Sequence, residues 1–195
     1  MRCLAAAASL AFAFAVIDGN ATSSATTLWS YKTGGVVVSS PVLSSDGTLL
    51  LAGSNDNCLY ALRTSDGAKV WGFQTGGAVT SSPTIGSDAV FFGSHDKNIY
   101  AVAMDGTKLW NFTTEGILKS SPTVSSDGLV VYVGSNDHHV YAFHAASGEK
   151  IWSSRLAGSV EAKATLTKNG LYLYVGCYDN NVYKISTVDG SRIWT

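Results

Sequence analysis

The chain has 195 residues, a formal net charge of -1, 46% hydrophobic residues and 14% charged residues. That composition is globular and lies outside the disordered range. Thirteen Lys and Arg against 14 Asp and Glu, with no basic block, leave no phosphate-neutralising patch, which excludes a nucleic-acid-binding role.

In chain order the first element is a leader. "MRCLAAAASLAFAFAVIDGNA" carries one early Arg2, then an uncharged run from Cys3 to Ile17, then small residues at A-x-A spacing, and it reads as a secretory signal peptide over 1–24. The apolar run is shorter than the roughly 20 residues that a membrane-spanning helix needs, so no span is expected after cleavage. This reading puts the mature chain in a secreted or lumenal compartment, the periplasm if the source is bacterial. Cys58 and Cys177 stand nearly three repeats apart and are expected as free, partly buried thiols.

Beyond the leader the sequence repeats itself. Trp29, Trp71, Trp110, Trp152 and Trp194 recur at spacings of 42, 39, 42 and 42 residues. They divide 28–195 into units 29–70, 71–109, 110–151 and 152–193. Each unit contains short β-branched and aromatic runs separated by Asp-Gly, Ser-Gly or Asn-Asp-Asn clusters, which gives four strands and four turns. In the first copy the strands are expected near 36–43, 48–54, 58–63 and 68–74. The second copy is shorter, "IGSDAV" against "LSSDGTLL", a deletion of the kind turns tolerate. The expectation is an all-β fold: a β-propeller of four-stranded antiparallel blades, about four of them present, forming a partial or open propeller.

The repeated residues have structural work. Gly53, Gly93, Gly134 and Gly176 close the second strand, where backbones approach closely. Asp56, Asp96, Asp137 and Asp179 sit where an Asx side chain bonds its own turn, and the tryptophans and tyrosines supply area for packing blade on blade. Ser-Ser-Pro occurs three times with no histidine beside it in sequence. A nucleophile is needed once, so the motif is read as structural.

At "AGSNDNCLYALRTSDGAKVW" and its three echoes the chain resembles the pyrroloquinoline-quinone-type β-propeller repeat, with Gly-Ser-x-Asp-x-x-hydrophobic-Tyr-Ala followed by Asp/Ser-Gly-x-Lys/Arg-x-Trp. The resemblance covers Leu28 to Thr195. Such repeats occur in scaffolds of outer-membrane assembly, in quinone-dependent dehydrogenases, and in lumenal or appended sensor and interaction domains, and the resemblance implies one of these roles. The dehydrogenase branch has an Asp where this chain has Arg63, Ala103, His144 and Ser186, and it has vicinal cysteines and a carboxylate-bound calcium. This chain has no adjacent cysteines, and its only glutamates are Glu115, Glu149 and Glu161. No cofactor is therefore expected, with pyrroloquinoline quinone kept as the alternative, and the enzyme question leans toward no. The expected function is a non-enzymatic protein-binding scaffold with unidentified protein partners. The alternative is a fragment of a quinone-dependent dehydrogenase whose catalytic residues lie elsewhere. The family's usual ring has more blades than four, so a fragment of a longer gene is one expectation; the other is that the arc closes by itself or pairs with a second copy as a homodimer.

The histidines first suggest a metal site. His138 and His139 enter a strand and point to opposite faces, and His144 lies five residues further on, so no three ligands converge within a blade. No catalytic, cofactor or metal residues are assigned. The candidate site is the loop face, with His95, Asp96, Lys97, Asp137, His138, Asp56 and Asp179 on the turns between second and third strands. Asn111, in Asn111-Phe112-Thr113, is a candidate glycosylation acceptor.

Overall fold

The computed structural model describes residues 27–195 and the backbone strand Ala8–Ala13. Cys3 and the leader's expected boundary lie outside the described residues. Among those described, no helix is long and apolar enough to cross a membrane.

Strand β1 (Ala8–Ala13) pairs antiparallel with β2 (Thr27–Thr33). Four antiparallel meanders follow. Blade one is β3 (Val42–Leu43), β4 (Leu49–Ser54), β5 (Cys58–Arg63) and β6 (Lys69–Gln74). Blade two is β7 (Thr84–Ile85), β8 (Val90–Gly93), β9 (Asn98–Val102) and β10 (Lys108–Thr113). Blade three is β11 (Thr123–Val124), β12 (Val130–Gly134), β13 (His139–His144) and β14 (Lys150–Arg155). Blade four is β15 (Thr165–Leu166), β16 (Tyr172–Gly176), β17 (Val182–Ser186) and β18 (Arg192–Trp194). The all-β propeller architecture is as the repeat implies. Each inner strand pairs over only two residues, shorter than the sequence suggested; Trp71, Trp110, Trp152 and Trp194 belong to the fourth strands of the blades, and Trp29 to β2 of the two-stranded sheet.

The stack is held by cores between successive blades. Leu51, Leu59 and Ala61 of blade one meet Val90, Phe92 and Val102 of blade two. Phe91, Ile99 and Ala101 then meet Val131, Val133 and Phe143, and Tyr132, Val140 and Ala142 meet Leu173, Val175 and Ile185. Alternation along each strand therefore feeds both neighbours, and each fully buried Leu, Val or Phe contributes roughly 1.5–3 kcal/mol. Blade four carries Lys184 where the others bury Ala61, Ala101 and Ala142, and its ammonium lies 3.9 Å over the Tyr172 ring.

Tryptophan locks each boundary. The Trp29, Trp71, Trp110 and Trp152 indoles donate to the carbonyls of Thr64, Met104, Ala145 and Thr187 in the next blade, at 2.8–2.9 Å. In every blade the register slips beside the tryptophan, and Val70, Leu109, Ile151 and Ile193, which precede it, are left exposed.

The Ser-Ser-Pro motif is absorbed by backbone. Ser39 and Ser81 donate to the carbonyls of Gly53 and Gly93 and accept their amides, while the Ser40 and Ser82 amides donate to the hydroxyls of Ser82 and Ser121 in the next blade. Cys177 is a free, partly buried thiol as expected, but Cys58 departs from expectation: it is disulfide-bonded and wholly buried.

Candidate functional site

The turns between second and third strands carry most of the residues singled out from sequence. Asn57, Lys97, His138 and Asn180 all have positive φ, 70°, 73°, 74° and 67°. This is the left-handed position that closes the turn, and asparagine adopts it more readily than lysine or histidine. His138 and Lys97 therefore stand at a backbone-defined corner, which is why the same place holds Asn, Lys and His across the four blades without disturbing the strands.

The aspartates are committed to the scaffold. The Tyr60, Tyr100 and Tyr141 hydroxyls donate to Asp56, Asp96 and Asp137 at 2.7, 2.7 and 2.8 Å, and Tyr183 donates to Asp179. The same oxygens of Asp56, Asp96 and Asp137 accept the amides of Gly34, Gly76 and Glu115, so each aspartate ties the incoming inter-blade loop to its blade. Burial works against the Asp96 carboxylate, but hydrogen bonds from Tyr100, Gly76 and Asn98 overcome it and hold its pKa below the usual value. Burial, then the carboxylate, pushes the Tyr60, Tyr100 and Tyr141 phenols well above theirs. Close approach fixes glycine beside these turns: a Cβ on Gly116 would lie 2.3 Å from the Asp137 amide nitrogen.

Divergent side chains meet on the inner side of the same face. Val38, Thr80, Lys119 and Glu161 are register equivalents in the inner segments; Asn55, His95, Asn136 and Tyr178 are equivalents just before the turns. Thr80 Oγ1 and His95 Nε2 are 2.9 Å apart. Lys119 Nζ and Asn136 Nδ2 both donate to Glu161 Oε1 at 2.9 Å, and the Tyr178 hydroxyl donates to Glu161 Oε2 at 3.0 Å. Burial, with the Lys119 charge second, lowers the His95 pKa and keeps the ring neutral at pH 7. Burial opposes the Glu161 charge, but its three donors prevail and lower its pKa. Val36 and Val38 continue this rim on blade one, each 58% exposed, and Tyr178 is 69% exposed on blade four.

The structure thus brings His95 into a cluster and leaves the four aspartates as framework. His139 stays local, its amide donating to Asp137 Oδ1. Exposed Asn111 donates to Asn98 Oδ1, which also accepts from Thr113. Sequence reasoning missed Lys119, Asn136, Glu161 and Tyr178. The signal was available, because aligning the copies on Ser-Ser shows that the preceding residue changes in every blade. No three His, Cys, Asp or Glu side chains are grouped to hold a metal ion among the described residues.

Comparison with known proteins bears on the fold and the family. BamB from Moraxella catarrhalis, a solved structure, is similar with a TM-score of 0.74 at 20% identity, over 87% of this chain and 52% of that one. The chain thus spans about half the length of that structure, and at this identity the likeness shows the fold. No curated protein matches. The family model described as outer membrane protein assembly factor BamB matches residues 16–119 and 95–195. With the propeller repeat and these matches together, the chain belongs to the BamB family of pyrroloquinoline-quinone-like β-propeller repeat proteins.

Proposed function

We propose that this chain is a non-enzymatic protein-binding scaffold working outside the cytoplasm, and that its partner engages the inner rim of the loop face. One observation carries the reading. Repeated polar residues are consumed by the framework, whereas the residues that differ from blade to blade, Thr80, His95, Lys119, Glu161 and Tyr178, gather on one side of the stack. A rigid scaffold whose divergent polar residues gather along one rim is organised for recognition. The family description supports a partner drawn from outer-membrane protein assembly, and hence the periplasm. The alternative, part of a quinone-dependent dehydrogenase, rests on the repeat resemblance alone.

Affinity capture with mass-spectrometric identification tests the reading. The tagged chain is compared with a variant carrying His95→Ala, Lys97→Ala, His138→Ala and Tyr178→Ala. Loss of a specific partner at unchanged thermal midpoint is expected, and full retention of every partner overturns the reading.

A further inference from the structure

On the opposite face, between blades two and three, three departures from the repeat coincide. At each boundary a residue at the start of the second strand faces the neighbour, and a residue of that neighbour's last turn comes toward it. The pair is Leu49 with Met104 at the first boundary and Val130 with Thr187 at the third, but Ala89 with Ala145 at the second. The turn leading into Ala89 is also the shortened one: Gly86 donates to the Ala89 carbonyl, two residues tighter than Ser44 to Leu49 or Ser125 to Val130.

Small side chains and a short turn leave a groove of about 400 Å³. Phe91 forms its floor, Leu109 and Leu129 its exposed lips, and Asp88 and His144 its polar ends. The groove leaves its apolar lining without the dispersion contacts that larger side chains at Ala89 and Ala145 would supply.

The geometry points to a docking groove for one large apolar side chain of a partner polypeptide, next to a cationic residue. The apolar lining takes the side chain. Asp88 forms no ion pair among the described residues and supplies the carboxylate that a neighbouring Lys or Arg would meet. This site is separate from the loop face and stands without the rim reading.

The test is two-dimensional NMR on the full chain titrated with N-acetyl-Phe-Arg-amide, with N-acetyl-Phe-Glu-amide and N-acetyl-Ser-Arg-amide as comparisons. Shifts confined to Ala89, Phe91, Leu109, Leu129 and Ala145 are expected, with both comparison peptides at least tenfold weaker. Ala89→Leu and Ala145→Met restore the size of the residues at the first boundary. Each should weaken the Phe-Arg probe at least tenfold while the thermal midpoint stays level or rises, so lost binding cannot be mistaken for misfolding. Asp88→Asn should remove the preference for Arg over Glu. Shifts centred elsewhere, or binding unchanged in Ala89→Leu, overturn the groove. Equal or tighter binding of the Phe-Glu peptide overturns the cationic partner.

Discussion

Lys119 of blade three and Glu161 of blade four face each other at 2.9 Å across the boundary where the serine ladder stops. Ser40 to Ser82 and Ser82 to Ser121 are linked amide to hydroxyl, but the next position is Lys163, which has no hydroxyl to accept. In place of that link, Lys119 and Asn136 donate to Glu161, and the Ser120 hydroxyl donates to the Ala162 carbonyl. One polar link between blades has been exchanged for another.

Breaking this pair should cost little and depend on salt. With side-chain exposures of 38% and 20%, a double-mutant cycle of Lys119→Met and Glu161→Gln should give a coupling of about 0.5–1 kcal/mol in urea unfolding, shrinking in high salt. The Glu161 pKa lies below its unfolded value near 4.5, so its contribution is present above that pH and is lost as pH falls through the folded value. The wild type should therefore lose more stability than Glu161→Gln below pH 4.5.

The Asp–Tyr ties are the stronger links. Tyr100→Phe leaves Asp96 with one donor fewer and should cost about 1.5–3 kcal/mol, the range for a hydrogen bond to a charged group. Alkali gives an independent check. The phenols of Tyr60, Tyr100 and Tyr141 have folded pKa values raised above 10, so their stabilisation is complete below pH 10 and erodes as pH rises through the folded values. Tyrosinate absorbance should show a class of phenols that ionises only with unfolding.

Two glycines separate backbone strain from steric contact. Gly148 has φ 72°, and a Cβ there would stand 2.5 Å from the Trp110 ring; Gly170 has φ 71° with nothing within 4 Å. Gly170→Ala should cost about 1 kcal/mol, whereas Gly148→Ala should cost several and redshift Trp110 emission as the indole is displaced.

At the turn corners the sign reverses. Lys97 holds φ 73°, so Lys97→Gly or Lys97→Asn should leave stability level or raise it by about 0.5–1 kcal/mol. A loss in both variants would mean that the lysine side chain itself supports the turn.

Much of the fold was legible because the repeat aligns the chain with itself. Once Trp29, Trp71, Trp110, Trp152 and Trp194 are in register, strand count, turns and anchors follow from period-two alternation. The Cys58 disulfide was not, because pairing depends on which parts of the chain meet and not on spacing. The rim was half legible. His95 stood out as a histidine, but Glu161 and Lys119 lie 42 residues apart, and only stacking of blade on blade joins them. The aspartates stood in the sequence both as turn-bonding residues and as loop-face candidates; what the sequence did not show is that Asp56, Asp96 and Asp137 also accept amides about twenty residues back, because that depends on how the inter-blade loop returns.

The most direct measurement of the rim account is site-specific photo-crosslinking in the source cells, with p-benzoylphenylalanine at Tyr178 on the rim and at Leu171 on the opposite face. Both positions are exposed, so accessibility does not favour either. A discrete protein adduct from position 178 that is absent from position 171 is the predicted result. Adducts from position 171 alone, or from neither position, would contradict a partner docked on the loop face.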